Sequence, residues 1–104
     1  MTTLTNKLRA LLPKPDELPA GYTSDLYREA LVCLDTMKGS VLRKRLSEIG
    51  PLIWQNSKND LDLALWQAVE CFYFQSMTSF EKGQKTLMHT RFSGAVNSLR
   101  KWQK

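Results

Sequence analysis

Between Asp60 and Lys82 the chain turns an apolar residue to nearly every side of a helix, and this segment constrains the fold more than any other. Its apolar positions are Leu61, Leu63, Ala64, Leu65, Trp66, Ala68, Val69, Cys71, Phe72, Tyr73, Phe74, Met77 and Phe80. Stepped at about 100° per residue they encircle the axis, and only Gln67, Glu70, Thr78 and Glu81 mark a narrow polar strip. Such a helix must be covered on nearly every side, by the rest of its own chain or by a second copy in a homodimer. Asn59 or Asp60 is expected to cap its start, Asp60 and Asp62 place negative charge where the helix dipole favours it, and Gly83 is expected to end it.

The flanking sequence supplies helices to do the covering. Leu4, Leu8, Leu11 and Leu12 recur at helical spacing and stop before Pro13. Pro13, Pro15, Pro19 and Gly21 make residues 13–22 a stiff connector. A second helix, capped by Thr23 or Ser24, carries Leu26, Tyr27, Ala30, Leu31, Leu34 and Met37 on one stripe and ends at Gly39. A third, capped by Ser40, carries Val41, Leu42, Leu46 and Ile49, and Gly50-Pro51 is expected to stop it. Leu52, Ile53 and Trp54 then form a short apolar plug before a loop. A last helix over Lys85–Trp102 carries Met88, Phe92, Ala95, Val96, Leu99 and Trp102, with Gly94 on its outward side or marking a break. No sustained alternation and no Asn-Gly or Asp-Gly hairpin signal predicts a strand. The expectation is an all-α fold, a compact bundle of about five helices around a central apolar fourth helix, in a single domain spanning 1–104.

Composition narrows the class. At 104 residues with 42% hydrophobic content the chain has the means to bury one core, which a disordered chain lacks. Charges interrupt the N-terminal apolar run, so it does not read as a signal peptide, and no segment approaches the ~20 apolar residues of a membrane span. Cys33 and Cys71 both fall in apolar helical stretches and are expected as buried free thiols, which points to the cytoplasm.

The chemistry-bearing residues are sparse. His89 is the sole histidine and sits beside an apolar stripe, where packing at the rim of the core accounts for it. One histidine and two distant cysteines do not form a metal-ligand pattern. Asp60 and Asp62 are explained by capping, and Glu70 with Asp62 or Glu81 by a solvated polar strip rather than by acid–base work. The glycines form no phosphate-binding motif. No catalytic residue, metal or cofactor is expected, and the chain is read as a non-enzymatic accessory or regulatory binding protein.

Charge points to the partner. Fifteen Lys and Arg against ten Asp and Glu give +5, and the excess is clustered. Lys82, Lys85, Arg91, Arg100, Lys101 and Lys104 crowd a C-terminal stretch without an acid, Lys38, Arg43, Lys44 and Arg45 form a second group, and Lys7, Arg9 and Lys14 a weaker third. Should the first two groups converge on one face, they form the electrostatic footprint of a phosphate backbone. Solvated surface and complementation of helix C-termini explain the same residues without a ligand. Val41–Asn56 lacks the polar reading face of a helix-turn-helix. Trp54, Trp66, Tyr73, Phe92 and Trp102 fit apolar stripes and are expected in the core, which leaves little for base stacking. The first expectation is therefore nucleic acid or a nucleoprotein complex held by the basic clusters. The alternative is a protein–protein adaptor or inhibitor using apolar helical surface, with Trp66, Tyr73, Phe74 and Met77 as its interface. A membrane-surface role for the basic last helix ranks below both.

Overall fold

The computed structural model describes residues 3–77 and 83–104. Five α-helices run α1 (Leu4–Leu11), α2 (Tyr22–Thr36), α3 (Gly39–Gln55), α4 (Asp60–Gln75) and α5 (Gln84–Gln103), with one 3-10 turn at Pro15–Glu17 and no strand among the described residues. The all-α bundle expected from the sequence is what forms. α4 packs on α1, α2, α3 and α5, most extensively on α5. No residue of α4 is exposed, so the chain itself covers the helix that its sequence made hardest to cover.

The first three helices are shaped by burial more than by local signals. α1 begins at Thr3, whose side chain accepts the Asn6 N–H (3.1 Å), and seats Leu8 in the core. The connector is held down by Arg28, which donates to the carbonyls of Pro15 (3.0 Å) and Leu18 (3.2 Å). α2 starts at Tyr22 with Gly21 as its N-cap, two residues ahead of Thr23, and Thr23 and Ser24 are buried in its first turn. The Thr23 hydroxyl is drawn elsewhere, donating to Asp62 Oδ1 on α4 (2.6 Å). α2 also ends early, at Thr36, and Gly39 begins α3 with a left-handed φ of +61° that few side chains tolerate. Ser40 consequently lies inside α3 and does not cap it.

The largest departure is at Gly50-Pro51, where a stop was expected and α3 continues to Gln55. Proline removes one N–H from the helix ladder and crowds the preceding residue. Glycine at 50 has no Cβ to enter that clash, and the proline ring faces solvent. Leu46, Ile49 and Ile53 are all buried, so ending the helix at 50 would forfeit the burial of Ile53. Leu52, Ile53 and Trp54 are thus the last turn of a helix and no separate plug.

α4 ends at Gln75 rather than near Lys82, and Thr78, Phe80, Glu81 and Lys82 lie outside the described residues. The Ser76 hydroxyl donates to the Tyr73 carbonyl (2.6 Å), satisfying a group that another helical turn would use. Gly83 serves as the N-cap of α5 (φ +91°). α5 is unbroken, and Gly94 faces inward: a Cβ there would lie 2.5 Å from Nε2 of Gln67. Its absence admits Gln67, which accepts from the Ser98 hydroxyl (3.1 Å).

Candidate nucleic-acid interface

The helix directions decide which basic residues meet. Arg43 Nη1 donates to the Ser76 carbonyl (3.4 Å), which sets the start of α3 beside the end of α4. Gly94 and Ser98 lie against Gln67 and Arg91 against Trp66, and only eight residues separate the end of α4 at Gln75 from the start of α5 at Gln84, so α5 runs back along α4 from its C-terminal end. Lys38, Arg43, Lys44 and Lys85 therefore gather at one end of the bundle. Arg100, Lys101 and Lys104 occupy the opposite end, about 25 Å away at 1.5 Å per residue along α5. There the neighbouring segment is the connector, since Lys14 and Gln103 line one surface cavity with Glu17. The two principal clusters do not converge on a single face.

Pairing divides the candidates further. Arg45 donates through Nε to Glu29 (2.9 Å), through Nη2 to the same carboxylate, and through Nη1 to Glu48 (2.8 Å). Its charge is neutralised within the α2–α3 interface. Arg9 forms a two-bond pair with Asp35 (3.0 and 3.2 Å), which also removes the acid nearest to Lys38 in the chain. Lys38, Lys44 and Lys85 are exposed and make no ion pair among the described residues, and Arg43 has only its long bond to Ser76. Lys82 lies outside the described residues.

Arg91 has a different part. Its guanidinium carbon stands 4.6 Å from the centre of the Trp66 ring, and its Nε is buried without a hydrogen-bond partner among the described residues. From the other side α3 brings Trp54 onto the same indole, with ring centres 4.5 Å apart and planes at 43°. Trp54 is 53% exposed and Trp102 38% exposed, so neither belongs to the core as their stripes suggested. Sequence reasoning missed Trp54 because the expected break at Gly50-Pro51 assigned it to a plug.

Trp54 and Arg91 overlie a stripe of α4. Leu63, Trp66, Glu70 and Tyr73, with Met77 just past the helix end, recur at helical spacing and are all half-buried, while their neighbours Leu65, Val69 and Phe72 are fully buried. This stripe faces the gap between α3 and α5, which have little direct contact with each other. Three of the four interface candidates, Trp66, Tyr73 and Met77, lie on it, whereas Phe74 is buried in the core. Glu70 sits one turn beyond Trp66, and burial pushes its carboxyl above the usual carboxylate range, with Arg91 partly opposing the shift. The polar strip expected on α4 is thus not simply solvated, because α5 covers Gln67 and Glu70 is half-buried.

The two thiols are withdrawn from solvent and the histidine is not. Cys33 and Cys71 are both free and buried, and burial pushes the Cys71 thiol up to about 12. His89 is exposed on α5. Among the described residues no three His, Cys, Asp or Glu side chains form a group able to hold a metal ion, and no helix is long and apolar enough to cross a membrane. No protein-family profile, curated protein or solved structure matches the chain.

Proposed function

We propose that this protein is a non-enzymatic cytoplasmic binding module that holds nucleic acid, alone or within a nucleoprotein complex. The observation that carries the reading is the gathering of Lys38, Arg43, Lys44 and Lys85 at one end of the bundle, free of acidic partners among the described residues. Unpaired cations on one surface release counterions from a phosphate backbone at no cost in broken ion pairs. The start of α3 and the start of α5 add their positive dipole ends to the same region, and neither has an acid in its first turn. The two free buried cysteines accord with a reducing compartment.

The test is a titration with random single-stranded and duplex DNA and RNA at two salt concentrations. Affinity should fall steeply with salt, and Arg43→Glu with Lys44→Glu should lower the slope of log affinity on log salt by about 2. Arg100→Glu with Lys101→Glu should do less. Absence of binding at low salt would overturn the reading.

The half-buried stripe favours a second reading, a protein adaptor, since tryptophan and arginine are the residues most enriched at interface hot spots. In that case Trp54→Ala would abolish capture of a protein partner and the charge reversals would leave it intact.

A further inference from the structure

The Trp54–Trp66–Arg91 stack adjoins the side of α3 that carries Arg43, and neither the charge clusters nor the core explains the stack. A tryptophan that packs the core is covered, yet Trp54 leaves half its surface in water while resting on a second indole. Removing so large an apolar face from water is favourable, so a ring left open beside arginine is suited to a flat partner that will cover it. Along α3, Arg43 and Trp54 are eleven residues apart, about 16 Å, and on the same side of the helix. Lys44 follows at the rim, and Lys38 and Lys85 lie beyond it at the same end of the bundle.

We propose that Trp54, seated on Trp66, is a stacking platform for a base of single-stranded nucleic acid, whose phosphates run along α3 towards Arg43 and Lys44. This inference rests on the nucleic-acid reading above and narrows its ligand to an unpaired strand. A duplex keeps its base faces stacked internally and offers nothing to an indole, and it is best served by one broad cationic face, whereas the clusters here stand at opposite ends. A single strand turns its bases one way and its phosphates the other. Glu70 on the floor of the stripe repels phosphate from the aromatic side, so the backbone is directed to the α3 rim. The Arg91 guanidinium holds Trp66 from the α5 side and stiffens the platform.

The experiment measures binding of the full chain to labelled oligothymidine and to a random duplex of the same length, by anisotropy at two salt concentrations, with tryptophan fluorescence followed in parallel. The wild type should bind the single strand more tightly than the duplex, with quenching of tryptophan emission. Trp54→Ala should weaken single-strand binding roughly ten-fold or more while leaving the salt slope unchanged, since it removes stacking and no phosphate contact. Trp54→Phe keeps an aromatic face and should retain most of the affinity. Thermal unfolding of both variants checks that the exposed position tolerates them. Duplex binding equal to or tighter than single-strand binding, or a Trp54→Ala variant that binds like wild type, would overturn the platform and leave the nucleic-acid reading standing. Failure of every oligonucleotide to bind at low salt would overturn both, and the stripe would pass to a protein partner.

Discussion

The two sides of α4 are built from the same residue types and behave differently. Towards α1 and α2 the helix is sealed: Phe72 is fully buried with its ring 6.3 Å from that of Tyr27, and Asp62 is locked to Thr23. Towards the gap between α3 and α5 it shows Trp66, Glu70 and Tyr73 half-covered, under Trp54 and Arg91. On the first side the large rings are enclosed and the buried Asp62 carboxylate is hydrogen-bonded, which is how a fold is held together. The second keeps aromatic surface and charge within reach of solvent, which is how a ligand is met. Aromatic content alone does not separate a core from a binding surface, and what does is whether a neighbouring helix closes over it.

The sharpest way to break this comparison is to truncate equivalent rings on the two sides. Phe72→Ala should cost about 3–5 kcal/mol in denaturant unfolding, because a fully buried ring leaves a cavity. Tyr73→Ala, one position on, should cost no more than about half as much, since water already reaches that ring. Equal losses would mean that the stripe is as structural as the sealed side.

A smaller effect tests how α5 closes over Gln67. Gly94→Ala gains about 1 kcal/mol of helix propensity but pushes the Gln67 amide away and breaks its bond with Ser98. The substitution should be neutral or mildly destabilising in the wild type and stabilising by about 1 kcal/mol in a Gln67→Ala background. Additive behaviour in that double-mutant cycle would show that Gln67 does not occupy the space left by the glycine.

The smallest effect concerns pH. Burial raises the folded-state pKa of Glu70 above its unfolded value, so the folded chain holds the proton more tightly and loses stability as pH rises from the unfolded towards the folded pKa. Glu70→Gln should therefore be slightly more stable than wild type at neutral pH, with the gap closing as the solution is acidified through that window. A gap that widens on acidification would mean that Glu70 is stabilised as a carboxylate, by Arg91 in particular.

Much of this architecture was legible in the chain. Apolar spacing places Leu8 of α1, Leu26, Tyr27 and Leu31 of α2, and Met88, Ala95 and Leu99 of α5 in the core, though Leu11 and Trp102 on the same stripes are exposed, and Asn59 caps α4 as expected, accepting the Asp62 N–H (2.9 Å). What misled were local rules overruled from a distance. Gly50-Pro51 reads as a terminator, but the helix continues because Ile53 is buried beyond it. Thr23 reads as a cap, but its hydroxyl finds a buried carboxylate on α4. Of the candidate site, the sequence grouped Lys38, Arg43, Lys44 and Arg45 without distinguishing Arg45, bound by two glutamates, from Arg43, two residues earlier with only its long bond to Ser76 among the described residues.

The sequence by itself determined that this chain is helical, that it has one core, and that the segment after Asn59 lies at the centre. Those properties are periodicities within single segments, and each can be read without knowing where any other segment goes. The tertiary structure alone decided that the basic clusters stand at opposite ends, that Trp54 rests open on Trp66, and which charges remain unpaired among the described residues. These depend on the direction and register in which one helix crosses another, because ion pairs and ring contacts act over a few ångströms and join residues far apart in the chain.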